Sequence, residues 1–421
     1  MSAKAFRSGI SLLLCLLLHG CALQQWQSTG MGRYLESHSL ADTLAKLESQ
    51  SPDDRDLPMH LLNRGLVHHL IGNYQRSNED LEAAKIALEK VQAISVTEGF
   101  TSSTINETFN DYSATPSERV LLHVVMALNY LALNDLSSAR VEALQSDLRM
   151  RELADEEAEL ASARFIAGLI FELNQEWSDA MISYRKAEQV LTRRKLTIPD
   201  ALQNRLLNGS RRLGLESEYQ QYVSKFQQQS VMLPENYGEV LVLYLNGQVP
   251  SKQQRRISIY APSLEHFVSI AQPYYPPRDG PVTASVLALG ANNVTLELLE
   301  DIDNLAREAL QADETKRLAL SLARVTTKHQ LVKDASKQDP LLGLLTDMAA
   351  LLTEVADTRS WNLLPAAIQI GTVQLPAGSY SQPIEGISGK RQPTPTLEVK
   401  VGATQLLIAN SYGNITPLTY Y

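Results

Sequence analysis

The sequence predicts an α+β protein of more than one domain, with an N-terminal array of α-helices followed by a mixed α/β domain that has a β-rich end. Three observations predict it. Between Leu35 and Phe226 apolar residues recur at spacings of three and four, and prolines such as Pro52, Pro58, Pro116 and Pro199 fall in the connections. From Glu239 to Tyr244 this period gives way to a run, Val240 to Leu245, that is apolar at successive positions, as a strand covered on both faces requires. Beyond it, strand-like and helix-like stretches alternate to the end of the chain.

Ahead of the helices, Lys4 and Arg7 supply a basic start, and Ile10 to Leu18 form an apolar stretch too short to span a bilayer as a stable helix. Leu18-His19-Gly20-Cys21 follows and resembles the bacterial lipobox, although His19 is an unusual occupant of its middle position. The resemblance implies that residues 1–20 are a lipoprotein signal peptide, that Cys21 carries the acyl (palmitate-type) chains, and that residues 21–34 are the lipidated N-terminus and tether. At least two chains are needed for a firm hold on a membrane. The bland alternative is an ordinary secretion signal, or an apolar anchor, with a cysteine there by accident. Ala22 stands where an Asp would retain the protein at the inner membrane in enterobacterial-type sorting, so the expected location is the outer membrane, lipid-anchored and facing the periplasm.

There are 2 cysteines, and Cys15 leaves with the leader, so a lipidated Cys21 leaves no thiol for a disulfide, a nucleophile or a metal. The formal charge of -9 becomes roughly -11 without Lys4 and Arg7, which argues against nucleic acid as a partner and against a basic membrane-binding face.

Residues 35–230 form the helical domain. Three segments fit one helix-turn-helix template: Gly65, His68, Gly72, Tyr74, Leu81 and Ala84; Ala127, Tyr130, Asn134, Leu136, Ala139 and Ala143; and Gly168, Phe171, Gln175, Trp177, Ala180, Tyr184 and Ala187. They resemble tetratricopeptide (TPR) repeats, in which small residues let two antiparallel helices approach and aromatics fill the gap beside them. The equivalent positions Gly65, Ala127 and Gly168 are spaced more widely and less evenly than the ~34-residue period of a regular array. A generic helical bundle is the competing reading. A fourth pair is expected over 201–213 and 216–226. The polar stretch from Gly99 to Ser117 holds Phe109 and Tyr112, expected to dock on the protein's own helices.

Residues 238–421 form the mixed domain, with the boundary between 230 and 238. After the strand at Glu239, Arg256 to Tyr260 reads as another, and Ala271-Gln-Pro-Tyr-Tyr-Pro-Pro as an extended connection. Val282 to Leu289 and Val294 to Leu298 bracket Gly290-Ala-Asn-Asn293 as a hairpin. Helices are expected over Leu299 to Ala312, Glu314 to Ala335 and Pro340 to Ala356, and strands over Ala367 to Leu375, Leu397 to Val401 and Gln405 to Ala409. Leu375-Pro-Ala-Gly-Ser-Tyr380 reads as a hairpin turn with a positive dihedral at Gly378, and Ser381 to Thr396 as a long excursion between strands.

Glu118-Arg-Val-Leu-Leu-His123 with Ala127-Leu-Asn-Tyr-Leu-Ala-Leu133, Asp357-Thr-Arg-Ser-Trp361 with Leu364-Pro365, and the Leu375 to Tyr380 stretch resemble a family of TPR-containing proteobacterial lipoproteins. These are sometimes encoded beside an activator lipoprotein of peptidoglycan synthases. The resemblance covers nearly all of the mature chain and implies a periplasm-facing lipoprotein, with no reaction attached.

Signals of chemistry are missing: there is no His-Glu-x-x-His, no phosphate-binding glycine loop and no Gly-x-Ser-x-Gly elbow. No catalytic residue, metal or cofactor is assigned. His68 and His69 are expected on a helix surface, and His123 inside as a hydrogen-bonded core residue. The favoured function is a non-catalytic scaffold or assembly factor that binds an envelope protein or peptide, tied by the resemblance to peptidoglycan synthesis. Its groove residues would be Asn63, Tyr74, Asn129, Tyr130 and Arg164. The rival is an envelope enzyme, or a glycan- or peptide-binding protein, with a site at Glu354, Asp357, Arg359 and Trp361. There, Arg359 either pairs with Asp357 as a clamp between the two halves of the C-terminal domain, shielded by Trp361, or receives an anion on which Trp361 stacks.

Overall fold

A computed structural model describes residues 30–97, 111–153, 159–230, 233–262, 265–278, 280, 282–289, 292–338, 355–380 and 396–419. The leader, Cys21, Phe109, Gly290, Glu354, the body of the helix expected from Pro340, and nearly all of the Ser381 excursion lie outside these residues.

The chain is helical over 30–37, where Met31 and Leu35 are buried. There follow α1 (Leu40–Glu48), α2 (Leu57–Leu70), α3 (Tyr74–Thr97), α4 (Pro116–Ala132), α5 (Leu136–Leu153), α6 (Ala161–Leu173), α7 (Trp177–Arg193), α8 (Asp200–Arg212) and α9 (Glu216–Phe226). From α2 onward consecutive helices pack as pairs: α2 with α3, α4 with α5, α6 with α7, and α8 with α9. All four pairs turn in the same way. One residue takes the left-handed conformation (Gly72, Asn134, Gln175, Gly214; φ 88, 58, 63 and 68°). The next N–H then reaches back to the carbonyl of His68, Tyr130, Phe171 or Ser210 at 2.8 to 2.9 Å. This arrangement satisfies carbonyls that a helix end otherwise leaves bare. The small residues of the repeat template allow the close approach: a Cβ at Gly65 would stand 2.9 Å from Cγ of Leu81, and one at Gly168 2.5 Å from the Tyr184 ring.

The β part begins with β1 (Tyr237–Asn246). It continues as β2 (Gln253–Ala261), β3 (His266–Tyr274), β4 (Ser285–Leu289), β5 (Asn292–Asp301), α10 (Ile302–Ala312), α11 (Glu314–Gln338), β6 (Ala367–Pro376), β7 (Gly378–Tyr380), β8 (Leu397–Val399), β9 (Thr404–Asn410) and β10 (Ile415–Thr419). The principal sheet has the order β10-β9-β1-β6-β5-β4, with β1 antiparallel to β6 and parallel to β9. The apolar run of β1 is covered on both faces. Leu241, Leu243 and Leu245 join Ile368, Ile370, Leu406 and Ile408 in the core that contains the helices, whereas Val240, Val242 and Tyr244 join Leu287, Leu296 and Leu407 in a second core.

The sheet stacks directly on the helical array. Helices α4, α6 and α8 touch β10, β5 and β6, and the side-chain amides of Asn410 and Asn414 both donate to the Leu70 carbonyl at the end of α2, each at 3.1 Å. The first helix of each pair therefore lies between its partner helix and the sheet. The core shared by helices and sheet runs from Met31 to Leu418. Charged ties reinforce it: Glu300 of β5 accepts from the Ser162 N–H (3.0 Å) and from Arg194 (2.6 Å), and Arg205 of α8 reaches Glu239 of β1 (3.0 Å).

Several expected elements are corrected. Strand β5 continues to Asp301, whose carboxylate accepts the Asn304 N–H (3.1 Å) and so starts the helix at Ile302 rather than Leu299. Ala271 to Tyr274 belong to β3 rather than to a connection. Each strand of a two-stranded ribbon has an unpaired edge, so Pro273 is tolerated there. Strand β10 adds an element beyond those the sequence predicts. Leu375 to Tyr380 is no hairpin, because β6 leaves β1 at Pro376 and β7 pairs with β8 instead. Gly378 does not take a positive φ.

Candidate functional site

The five residues expected to line a groove do not share one. Asn63 and Asn129 are buried. The Asn129 amide donates to Ser77 and Asn78, both at 2.8 Å, and its oxygen lies 2.7 Å from Nδ1 of His69. The Tyr74 hydroxyl pairs with Thr416 of β10. Tyr130 is half-buried against the core, and Arg164 is buried with Glu159 (2.9 Å) and Asp147 as partners. These are contacts within the array and between array and sheet. The physical reason is that the sheet occupies the side on which a groove between the first helices would have opened. His68 and His69 are likewise inside rather than on a helix surface, and burial pushes both pKa values down. His123 is an interior residue, 2.7 Å from Glu142.

The Asp357 to Trp361 segment is where the C-terminal half meets the start of the array. Arg359 grips Asp357 with two bonds (Nε 3.0 Å, Nη2 2.8 Å) and turns Nη1 to Asp56, just before α2, at 3.0 Å. Burial alone would lower the arginine's pKa; the two carboxylates override it and hold the group charged. The clamp thus joins this segment to the helical array, not one half of the C-terminal domain to the other. An anion reaching Arg359 would meet a guanidinium already neutralised by two carboxylates. Glu354 lies outside the described residues.

Trp361 is 1% exposed, and its backbone N–H donates to Oε1 of Glu118 at 2.7 Å. Oε2 of Glu118 accepts from the Tyr112 hydroxyl (2.8 Å) and from the Thr115 N–H (2.6 Å), and Thr115 caps α4 in return. One buried carboxylate thereby fixes the start of α4, the chain before it and the Trp361 segment. The spacing Thr115-Pro-Ser-Glu118 is the sequence signature of a capping box, but nothing local announces the reach to Trp361.

Beside this junction lies a cavity of about 510 Å³. Its apolar wall includes Leu121, Val249, Ile302, Ala306 and Leu310, and its polar lining includes Lys252, Tyr275, Arg317 and Trp361. Lys252 is half-buried, and its ammonium donates to the Arg359 carbonyl at 2.9 Å. Lost hydration pushes its pKa down, against the pull of Asp357 and Glu118. Burial pushes the Tyr275 hydroxyl up. Sequence reasoning missed Lys252 and Tyr275, which no local pattern joins to Trp361. A second cavity, of about 450 Å³, lies where α7 and α8 meet β1 and β6; there Arg205 stands between Glu172 (3.5 Å) and Glu239 (3.0 Å). Among the described residues no group of three or more His, Cys, Asp or Glu could hold a metal ion, and no helix is long and apolar enough to cross a membrane.

No protein-family profile matches the chain, and no curated protein does. Among solved structures, the apo form of RapI is similar over 48% of this chain and 53% of its own, about half of each, at 13% identity and a TM-score of 0.37. A likeness that distant carries no conclusion about fold or function.

Proposed function

We propose that this protein is a lipid-anchored scaffold of the proteobacterial cell envelope, held by acyl chains on Cys21 at the outer membrane and facing the periplasm. Its TPR-like array presents a protein-binding surface and carries out no reaction. The lipobox resemblance at Leu18 to Cys21 supports the anchor. The observation that carries the scaffold reading is the division of labour among the helices. The inner ones are spent on the sheet, while α5 exposes Val141 (51%), Leu144 (42%) and Leu148 (44%), a spacing that puts all three on one helix face.

That stripe is flanked by further exposed apolar side chains on the neighbouring outer helices. Arg149 of α5 pairs with Glu89 of α3 (2.7 Å), one turn from exposed Ile86. Lys186 of α7 pairs with Asp147 of α5 (3.3 Å), one turn from exposed Ile182. An apolar surface shared by three helices and rimmed with charge is what the apolar face of a partner's amphipathic helix requires. The family resemblance points to a partner within the peptidoglycan-synthesis apparatus.

The test is a photo-crosslinking residue placed in intact cells at Leu144 and, as a control, at exposed Gln220 of α9. A discrete adduct at 144 that L148K abolishes is expected; adducts equal at the two positions, or none, would defeat the reading. In C21S, processing and acyl labelling should both stop. Normal labelling in that variant removes the anchor.

A further inference from the structure

The cavity beside Trp361 plays no part in the scaffold reading, and it has the character of a ligand site. Its volume of about 510 Å³ falls within the ~300–1,000 Å³ usual for small-molecule pockets. Its walls come from α4, the chain after β1, α10 and the Trp361 segment, which Glu118 ties to α4. Such a site exists before any ligand arrives.

The charges within it are unequal in availability. Both oxygens of Glu118 are engaged by three donors. Asp357 and Asp56 are engaged by Arg359. Lys252 differs: its ammonium has three N–H groups, gives one to a backbone carbonyl, and forms no ion pair among the described residues. The Trp361 indole N–H, in a side chain that is 1% exposed, finds no acceptor among the described residues either. A half-buried ammonium with spare donors, facing a wall of Leu121, Val249, Ile302, Ala306 and Leu310 in a cavity otherwise lined largely by polar groups, favours an anion that brings its own apolar body. Arg317 also lines the cavity, but it donates to the Leu310 carbonyl and has Asp313 4.0 Å away, so Lys252 is the cation whose charge is left for a ligand, and one such charge suits a carboxylate rather than a phosphate dianion.

We propose that this cavity binds a small amphiphilic carboxylate, its head on Lys252 and its apolar body against Leu121, Val249, Ile302, Ala306 and Leu310. A free fatty acid and the apolar C-terminus of a peptide share that chemistry, and the test separates them.

Calorimetry on the soluble mature chain would compare decanoate with decanol, and acetyl-Ala-Ala-Leu with its C-terminal amide. One of the two acids should bind saturably, one per chain, and at least about tenfold more tightly than its neutral counterpart, the worth of one charge-assisted hydrogen bond. Which acid binds identifies the source. K252M should remove that advantage while binding of the neutral compound persists, K252R should keep part of it, and A306F, which fills the chamber and leaves the lysine in place, should abolish both. Thermal melting establishes that each variant is folded, and if K252M is not, A306F and K252R decide. No saturable binding of either acid, equal binding of acid and neutral compound, or undiminished binding in A306F would overturn the assignment.

Discussion

The inner helices α4 and α6 are apolar through most of their length, whereas the outer helices α5, α7 and α9 carry polar and charged residues over much of theirs, and the two sets are used differently. In α6 each residue from Ala161 to Phe171 is buried, and in α4 the same holds from Val120 to Asn129. In α9, by contrast, Tyr222 alone is buried. Inner helices α2, α4 and α6 are covered by a partner helix on one side and by the sheet on the other and expose no residue, whereas α8, in the last pair, keeps Asp200, Asn208, Arg211 and Arg212 exposed. The outer helices keep a solvent face, and α5 uses part of it for apolar residues that pack on nothing described. Burial on all sides thus explains why α2, α4 and α6, the obvious place to look for a groove, have no surface left to offer.

Substitutions that treat the two sets alike should separate them. The largest effect is expected at Gly168. A leucine there must push the Tyr184 ring away or part α6 from α7, so G168L should cost about 3 kcal/mol or more and abolish a cooperative melt. R359A comes next. It leaves Asp56 and Asp357 facing each other, and because their side chains keep 18% and 25% exposure the loss should be about 2 kcal/mol, below that of a fully buried pair; denaturant titration reads it.

A smaller effect concerns pH. Burial holds His60, His68 and His69 below the ordinary histidine pKa, so between that folded value and about 6.5 the unfolded chain binds more protons than the native one. Their contribution is present in full above about pH 6.5 and is lost as pH falls below it. The melting temperature should therefore drop from pH 7 to pH 5, less steeply in H69Q; an equal slope in that variant would deny His69 a share. The smallest effect is expected on the outer face, where L144S should change stability by less than about 0.5 kcal/mol while removing the partner adduct. A large loss of stability in L144S would erase the distinction between the two sets.

Much of the architecture was legible from residues close together in the chain. Thr115, Pro116 and Glu118 announce the start of α4, Gly72, Asn134 and Gly214 suit three of the four left-handed turns while Gln175 does not, and the doubly apolar run of β1 foretells two covered faces. What escaped depends on distant parts. Nothing near Asn129 says that Ser77 will take its amide, and nothing near Trp361 says that Glu118 and Lys252 will meet it. Strands β3 and β10 escaped for a local reason, since Pro273 and Pro417 sit inside them and a proline argues against a strand unless an edge is known to be free.

The position of β1 also sets a timetable. Its neighbours on either side, β6 and β9, lie far toward the C-terminus. Until both have been delivered, helices α4 and α6 hold bare hydrocarbon where the sheet will sit. Chains of this topology are slow to close and prone to clump while waiting. A truncation ahead of residue 404 should therefore be found bound to chaperones or in aggregates, and never as a shorter but tidy protein.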